Sequence, residues 1–324
     1  MVQFFLVFGF INLTSLLFNA LVFHVIYKQV DKSKFPTIYI YNTIIANSMD
    51  TFLILITFII PIVLDDKVYF EFRRFAGSSL TIVGTFFYEH IFYLTILMTL
   101  QRAHSIKRPA SKLVTDRRVW LVCSGFGVIS LIILIIPFLS SCPVNINQRN
   151  LSFQGDCHEE IHPITAIQNN YLILIPVITM SINAIVLLYL AAKRGEALRR
   201  RRLNIVSISS TSNVHQLPPL ATRSKSRQSF DRCLLLHSTI TTSFLFLYEL
   251  TGLLLRVFVK DFLALSETVR RFIFYSRVST ISLLCFLLYF VGTPAIRKLI
   301  LQKVLNLLKG KAGHRTPTTT TVLV

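Results

Sequence analysis

Seven stretches of the chain, at roughly 2–27, 38–64, 79–101, 119–139, 169–192, 234–258 and 270–292, are almost continuously apolar. A bilayer core about 30 Å thick needs about 20 apolar residues at helical rise, and each stretch is long enough. In lipid only helices and closed barrels satisfy every backbone N–H and C=O. The stretches lack the alternation of barrel strands, so helices are expected. The fold class that follows is all-α, a polytopic membrane protein built as a seven-transmembrane helix bundle. The composition agrees: of 324 residues 53% are hydrophobic and only 15% charged, against about 25% charged in soluble domains. That excludes an ordinary soluble enzyme, a disordered tail and a collagen-like rod. The first apolar run starts at residue 2 with no basic n-region and no A-x-A site, and is expected to span as a signal-anchor.

The charge distribution fixes the expected orientation. With the N-terminus outside, the inside segments 28–37, 102–118, 193–232 and 293–324 hold 3, 6, 10 and 6 basic residues, which is 25 of the 34. The outside segments 65–78, 140–168 and 259–271 hold 3, 1 and 3, while acids run the other way, four inside and eight outside. By the positive-inside rule the N-terminus lies outside and the C-terminus in the cytoplasm. The same asymmetry accounts for the net charge of +19 as a basic face toward anionic lipid, with no nucleic acid as partner.

Three regions follow. Residues 1–309 form the seven-transmembrane domain, 193–232 a basic third cytoplasmic loop expected to be partly disordered, and 310–324 a disordered Thr-rich tail. No internal repeat, inverted or direct, is visible. The five cysteines show no C-x-x-C spacing, the eight histidines are scattered, and no G-x-S-x-G or P-loop occurs. No metal, cofactor or enzyme activity is expected.

At the inner end of the third apolar run stand Gln101, Arg102, Ala103, Ile106 and Pro109. They resemble the D-R-Y-x-x-I-x-x-P signature of rhodopsin-like G-protein-coupled receptors, with Arg102, Ile106 and Pro109 at the family spacing and Gln101 and Ala103 replacing the Asp and Tyr. Asn19 looks like the helix 1 asparagine, Asp50 like the helix 2 aspartate and Pro176 like the helix 5 proline. Phe244 and Tyr248 are similar to the F-x-x-x-W pair of helix 6. The sequence departs from the family in three places. Gly77 stands where the helix 3 cysteine would be, which leaves Cys142 and Cys157 of the second outer loop as candidates to pair with each other. The N-P-x-x-Y of helix 7 is missing, and Thr293-Pro294 reads as N-cap and N1 of a short amphipathic helix 8 at about 294–309. Helix 7 has no Lys, so a retinal Schiff base is excluded. Short N-terminus, Phe-rich helices and eroded motifs make the chain most similar to the nematode serpentine chemoreceptor families.

The resemblance implies a plasma-membrane receptor that binds a small-molecule or peptide ligand from outside and activates a heterotrimeric G protein. It also implies coupling through Arg102, Ile106 and Pro109. Asp231, 17 residues before Tyr248, is the acid placed to hold Arg102 at rest. Ionisable groups inside a bilayer are costly and mark function by default. In a bundle of this kind Glu89, Glu249 and Arg277 would line one outward cavity with Phe86, Tyr248 and Tyr275. The alternative is a structural ion pair between Arg277 and a glutamate, with Arg256 snorkelling outward. Asn19 and Asp50 are expected to share a polar contact between helices 1 and 2. Asn150 is the expected glycosylation site, since the other sequon, at Asn12, lies inside helix 1. Two other readings stay open: a transporter or channel subunit using the same buried charges, and a receptor-like protein that has lost coupling.

Overall fold

The computed structural model describes residues 2–29, 35–107, 116–140, 144–147, 152–155, 162–208 and 225–308. Among them are seven helical spans long and apolar enough to cross a membrane: Leu6–Lys28, Thr37–Val63, Asp66–Lys107, Arg117–Phe138, Pro163–Lys193, Cys233–Val257 and Glu267–Val291. We number them one to seven. The chain is a multi-pass membrane protein, and an eighth helix, Pro294–Leu308, follows the last span.

The polarity of the bundle is inverted relative to a water-soluble core. Phe10, Leu17 and Leu188 point outward and are 70%, 66% and 71% exposed, while Asn12, Asn19, Asn47, Ser130, Asn183 and Ser238 are buried. Lipid tails are as apolar as Leu, so helices are held by close packing and interhelical hydrogen bonds rather than by escape from water. The larger apolar cluster joins spans one, two, three, six and seven through residues such as Val25, Ile44, Ile91, Leu245 and Leu284. A second cluster, with Tyr39, Leu94, Met98, Val119 and Leu234, ties spans two, three, four and six toward the Arg102 end.

Several boundaries differ from the expected ones. Segment 65–78, expected as a loop, is helical, and only Leu64 and Asp65 separate spans two and three. Asp65 supplies the cause: its carboxylate accepts the amide N–H of Val68 at 2.8 Å, and Asp66 places a second acid in the first turn, where the helix dipole favours it. The added helix passes through a wider π turn at Arg73–Gly77 before the main part of span three. Span five starts at Pro163 rather than near 169, because His162 caps it through Nδ1 at 3.3 Å from the amide of Ile164 and Pro163 occupies the first position. Its polar residues Gln168, Asn169 and Asn170 conceal this turn from an apolar-run search. The helix of span five continues to Ile208 and that of span six begins at Lys225, so both ends of the basic loop are helical. Between spans four and five, β1 (Val144–Asn147) and β2 (Ser152–Gly155) form an antiparallel hairpin with Val144 opposite Gly155 and Asn147 opposite Ser152. At four residues each, they lie at the lower limit of what alternation can reveal.

Span seven bends without proline. After Thr280 it tightens to a 3-10 turn at Ile281–Leu283 and then widens to a π turn at Leu287–Val291. The carbonyl of Ile281 accepts from the amide of Leu284 and also from Nδ2 of Asn47 at 2.9 Å. A side chain inserted into the backbone ladder is one of the few causes of a helix bend. Asn12 grips both sides of the same turn, donating to Ser279 Oγ at 3.0 Å and accepting from Ser282 Oγ at 2.5 Å. Gly292 ends the π turn, its amide bonded to Leu287 O at 2.8 Å. A Cβ at that position would stand 2.2 Å from Cδ1 of Ile240 and 3.0 Å from Leu288 O, so Gly permits the close crossing of spans six and seven.

Candidate functional site

At the hairpin end of the bundle lies a cavity of about 730 Å³ whose wall draws residues from spans two to seven. That volume is within the usual range of small-molecule sites. Asp50, Glu89, Tyr248, Glu249 and Arg277 all line it. Each is placed by helical spacing: Tyr88 and Glu89 follow Thr81 and Thr85 on one face of span three, and Gly252 lies one turn beyond Tyr248 and Glu249 on span six.

The charged groups are held by neighbours of kinds that composition alone does not mark. The hydroxyl of Tyr88 donates to Glu249, joining span three to span six. The Tyr88 and Tyr248 rings are 5.5 Å apart, and the guanidinium carbon of Arg277 lies 4.7 Å above the Tyr248 ring centre, a cation–π contact. Room for the guanidinium comes from Gly252, where a Cβ would stand 2.4 Å from Nη2 of Arg277. Glu89 is buried and accepts from Ser130 Oγ at 3.2 Å and from Gln168 Nε2 at 3.0 Å, so it ties spans three, four and five.

Some expected placements are corrected. Among the described residues no ion pair joins Arg277 to Glu89 or Glu249; the cation faces Tyr248 instead. Arg256 is exposed and also lines the cavity, and so does Arg270, which the sequence reading put at the very start of the seventh run. Tyr275 is not in the wall. It is buried against Phe58 at 4.8 Å and Phe8 at 6.1 Å, because two residues of helix rotate it about 200° from Arg277. Phe86 also turns away, packing on His90 at 6.0 Å and toward Gly127 of span four. Asn19 does not meet Asp50: its Nδ2 donates to Asn47 Oδ1 at 3.1 Å, and Asp50, three residues further along span two, faces the cavity.

A second polar layer lies 11 residues deeper on both spans three and six. Thr99 Oγ1 and Ser238 Oγ are 2.5 Å apart, and Asn183 Nδ2 donates to Ser238 Oγ at 3.0 Å, joining spans three, five and six. Beside it the rings of His237 and Tyr289 meet edge-on at 5.7 Å. Beyond this layer Arg102 is only 2% exposed, while Gln101 accepts a hydrogen bond from the hydroxyl of Tyr39 on span two. Ile106 is half-buried one turn further. Pro109, Cys142, Cys157 and Asn150 lie outside the described residues, as does the side chain of Asp231. Cys123, Cys233 and Cys285 are free thiols.

The sequence reading missed Tyr88, Asn47, Ser130 and Gln168. All four are neutral groups in apolar runs or loops. Only their helical offsets from an acid or amide, one residue for Tyr88 and three for Asn47, offered a signal.

Seven spans, a short eighth helix, a polar cavity at one end and a buried arginine at the other define a seven-transmembrane receptor fold. The solved structure of squid rhodopsin has the same fold, with a TM-score of 0.61 at 14% identity over 94% of this chain and 85% of that one. Residues 34–184 match the family described as Caenorhabditis serpentine receptor-like protein, class xa. The chain is also similar to Serpentine receptor class XA 10 of Caenorhabditis elegans, 29% identical over 289 residues that cover 89% of this chain and 85% of that protein. The chain thus has a seven-transmembrane fold and is similar in sequence to serpentine receptors.

Proposed function

We propose that the chain is a chemosensory G-protein-coupled receptor of the plasma membrane, with its N-terminus outside and its C-terminus in the cytoplasm. A small extracellular ligand enters the cavity among Glu89, Tyr248, Glu249 and Arg277, and a heterotrimeric G protein meets the opposite end at Arg102 and Ile106, with Pro109 just beyond. The observation that carries this reading is the placement of a charged cavity and a buried arginine on one helix. Glu89 and Arg102 are 13 residues apart on span three, about 20 Å at helical rise. Between them the two tie points of spans three and six, Tyr88 with Glu249 and Thr99 with Ser238, give ligand contacts a route to the far end. A ligand that binds better when span six has moved shifts the population toward that state. Asp231 is the proposed resting partner of Arg102.

The test is a ligand screen with a second-messenger readout in transfected cells, wild type against Arg102→Ala. The expected result is a ligand-dependent response that Arg102→Ala abolishes while surface expression persists. Tags at the N-terminus and near Asn150 should label on intact cells, and a tag after Gly310 only after permeabilisation. Surface labelling of the C-terminal tag would overturn the orientation and with it the receptor reading.

A further inference from the structure

The cavity holds charges of both signs, and the protein treats them differently. Two of its three acids accept side-chain hydrogen bonds. Glu89 accepts from Ser130 and Gln168, and Glu249 from Tyr88. Its arginines have no carboxylate paired with them among the described residues, although Arg277 lies over the Tyr248 ring. Arg256, Arg270 and Arg277 all line the cavity, and among the described residues none of the three forms an ion pair. Nε of Arg270 and Nε of Arg277 are buried with no hydrogen-bond acceptor among the described residues. A guanidinium has five donors and accepts nothing, and a buried donor left unmade is costly, more so on a charged group. An acceptor entering the cavity would pair with these donors, an anionic one most strongly.

Position narrows it further. Arg270 and Arg277 are seven residues apart on span seven, two turns and about 10 Å along one face. They form a basic track that leads inward to the Tyr248 ring. Around that track the wall is largely apolar, with Leu53, Leu134, Phe138, Leu255 and Phe274 among its residues. A fork-shaped cation suits a planar, two-oxygen anion, and an apolar wall suits a hydrocarbon body.

We propose that the ligand of this cavity is an organic carboxylate with an apolar body. Its carboxylate sits on Arg277, its body lies against the apolar wall, and Arg270 and Arg256 receive it at the mouth. The proposal rests on the receptor reading for the site and adds the ligand's chemical class.

The probes are octanoate, decanoate and phenylpropionate, each with its methyl ester and the matching primary amine. Binding is read as thermal stabilisation of the purified full chain in lipid nanodiscs, and signalling separately as second messenger in cells. The acids should stabilise the protein and the esters and amines should not. Arg277→Gln should weaken the acid effect about tenfold to a hundredfold, and Arg277→Lys should retain part of it. If Arg277→Gln does not reach the surface, Arg270→Gln decides by the same criterion. Esters or amines as effective as acids, no stabilisation by any acid, or acid binding unchanged in the Gln variant would each overturn the proposal. Acids that stabilise without any second-messenger change would leave the carboxylate site standing and remove the receptor reading. A signalling response to amines alone would do the reverse.

Discussion

Asn47 bonds to both span one and span seven, and its replacement by Ala has a calculable effect. The substitution removes the acceptor of the Asn19 amide at 3.1 Å and the donor to the Ile281 carbonyl at 2.9 Å. Interhelical hydrogen bonds in bilayers average about 0.6 kcal/mol and reach about 1.7. Two of them give about 1–3 kcal/mol, toward the upper end because the Asn19 amide is left buried without its partner. The Ile281 carbonyl keeps the amide of Leu284, so less is lost there. At roughly 2 °C per kcal/mol for a large chain, the thermal midpoint in nanodiscs should fall by about 2–6 °C. A double-mutant cycle separates this from loss of packing. Asn47→Ala and Asn19→Ala share one bond, so the double variant should be less destabilised than the sum of the two by about 0.6 kcal/mol or more. Asn47→Asp should keep the bond to Asn19 and lose only the one to Ile281. Hydrogen exchange at Leu284 and Cys285 should quicken in both Asn47 variants and not in Asn19→Ala. Strict additivity, or unchanged exchange at the bend, would refute the view that Asn47 shapes span seven.

Further outcomes follow from other parts of the molecule. Gly252→Ala pushes a methyl group to 2.4 Å from the Arg277 guanidinium. It should gain about 1 kcal/mol in helix propensity and lose up to about 2 kcal/mol of cation–π contact, so the thermal midpoint should barely move while ligand potency falls several-fold, read in a dose–response series. Asp231→Ala should raise basal second-messenger output several-fold, since it removes the proposed resting partner of the buried Arg102; unchanged basal output would remove the lock and leave only the arginine's role. Cys142 and Cys157 should form a bridge closing a 16-residue loop, worth about 3 kcal/mol on the chain-entropy scale. Mass mapping under non-reducing digestion checks it, and alkylation of both thiols would refute it.

The seven-helix architecture was legible because burial in lipid demands long apolar runs, and those runs survive any detail of packing. Glu89, Glu249 and Arg277 were legible for the opposite reason, since a charge within such a run has few places to go. What sequence reasoning lost was direction around the helix. Tyr275 and Arg277 are two residues apart, but one packs into the span one and two aromatics and the other lines the cavity. Within Glu267–Thr280 charged and hydroxyl residues are interspersed with aromatics, so residue type alone did not say which face each took. Asn47 was overlooked beside Asp50 because a neutral amide attracts less notice than a charge, although it makes the bond to Asn19 that the aspartate was expected to share. The helical segment at 66–77 was hidden by its charges, and only the paired aspartates at 65 and 66 announced it.

Spans two and three are joined by two residues, Leu64 and Asp65. So short a connection makes a helical hairpin. Spans six and seven, carrying Arg256, Arg270 and Arg277, are linked instead through a separate short helix, Val259–Ala264, with breaks on either side. The two sides of the cavity are thus tethered differently, and for the proposed ligand the looser tether lies on the side that carries the arginines.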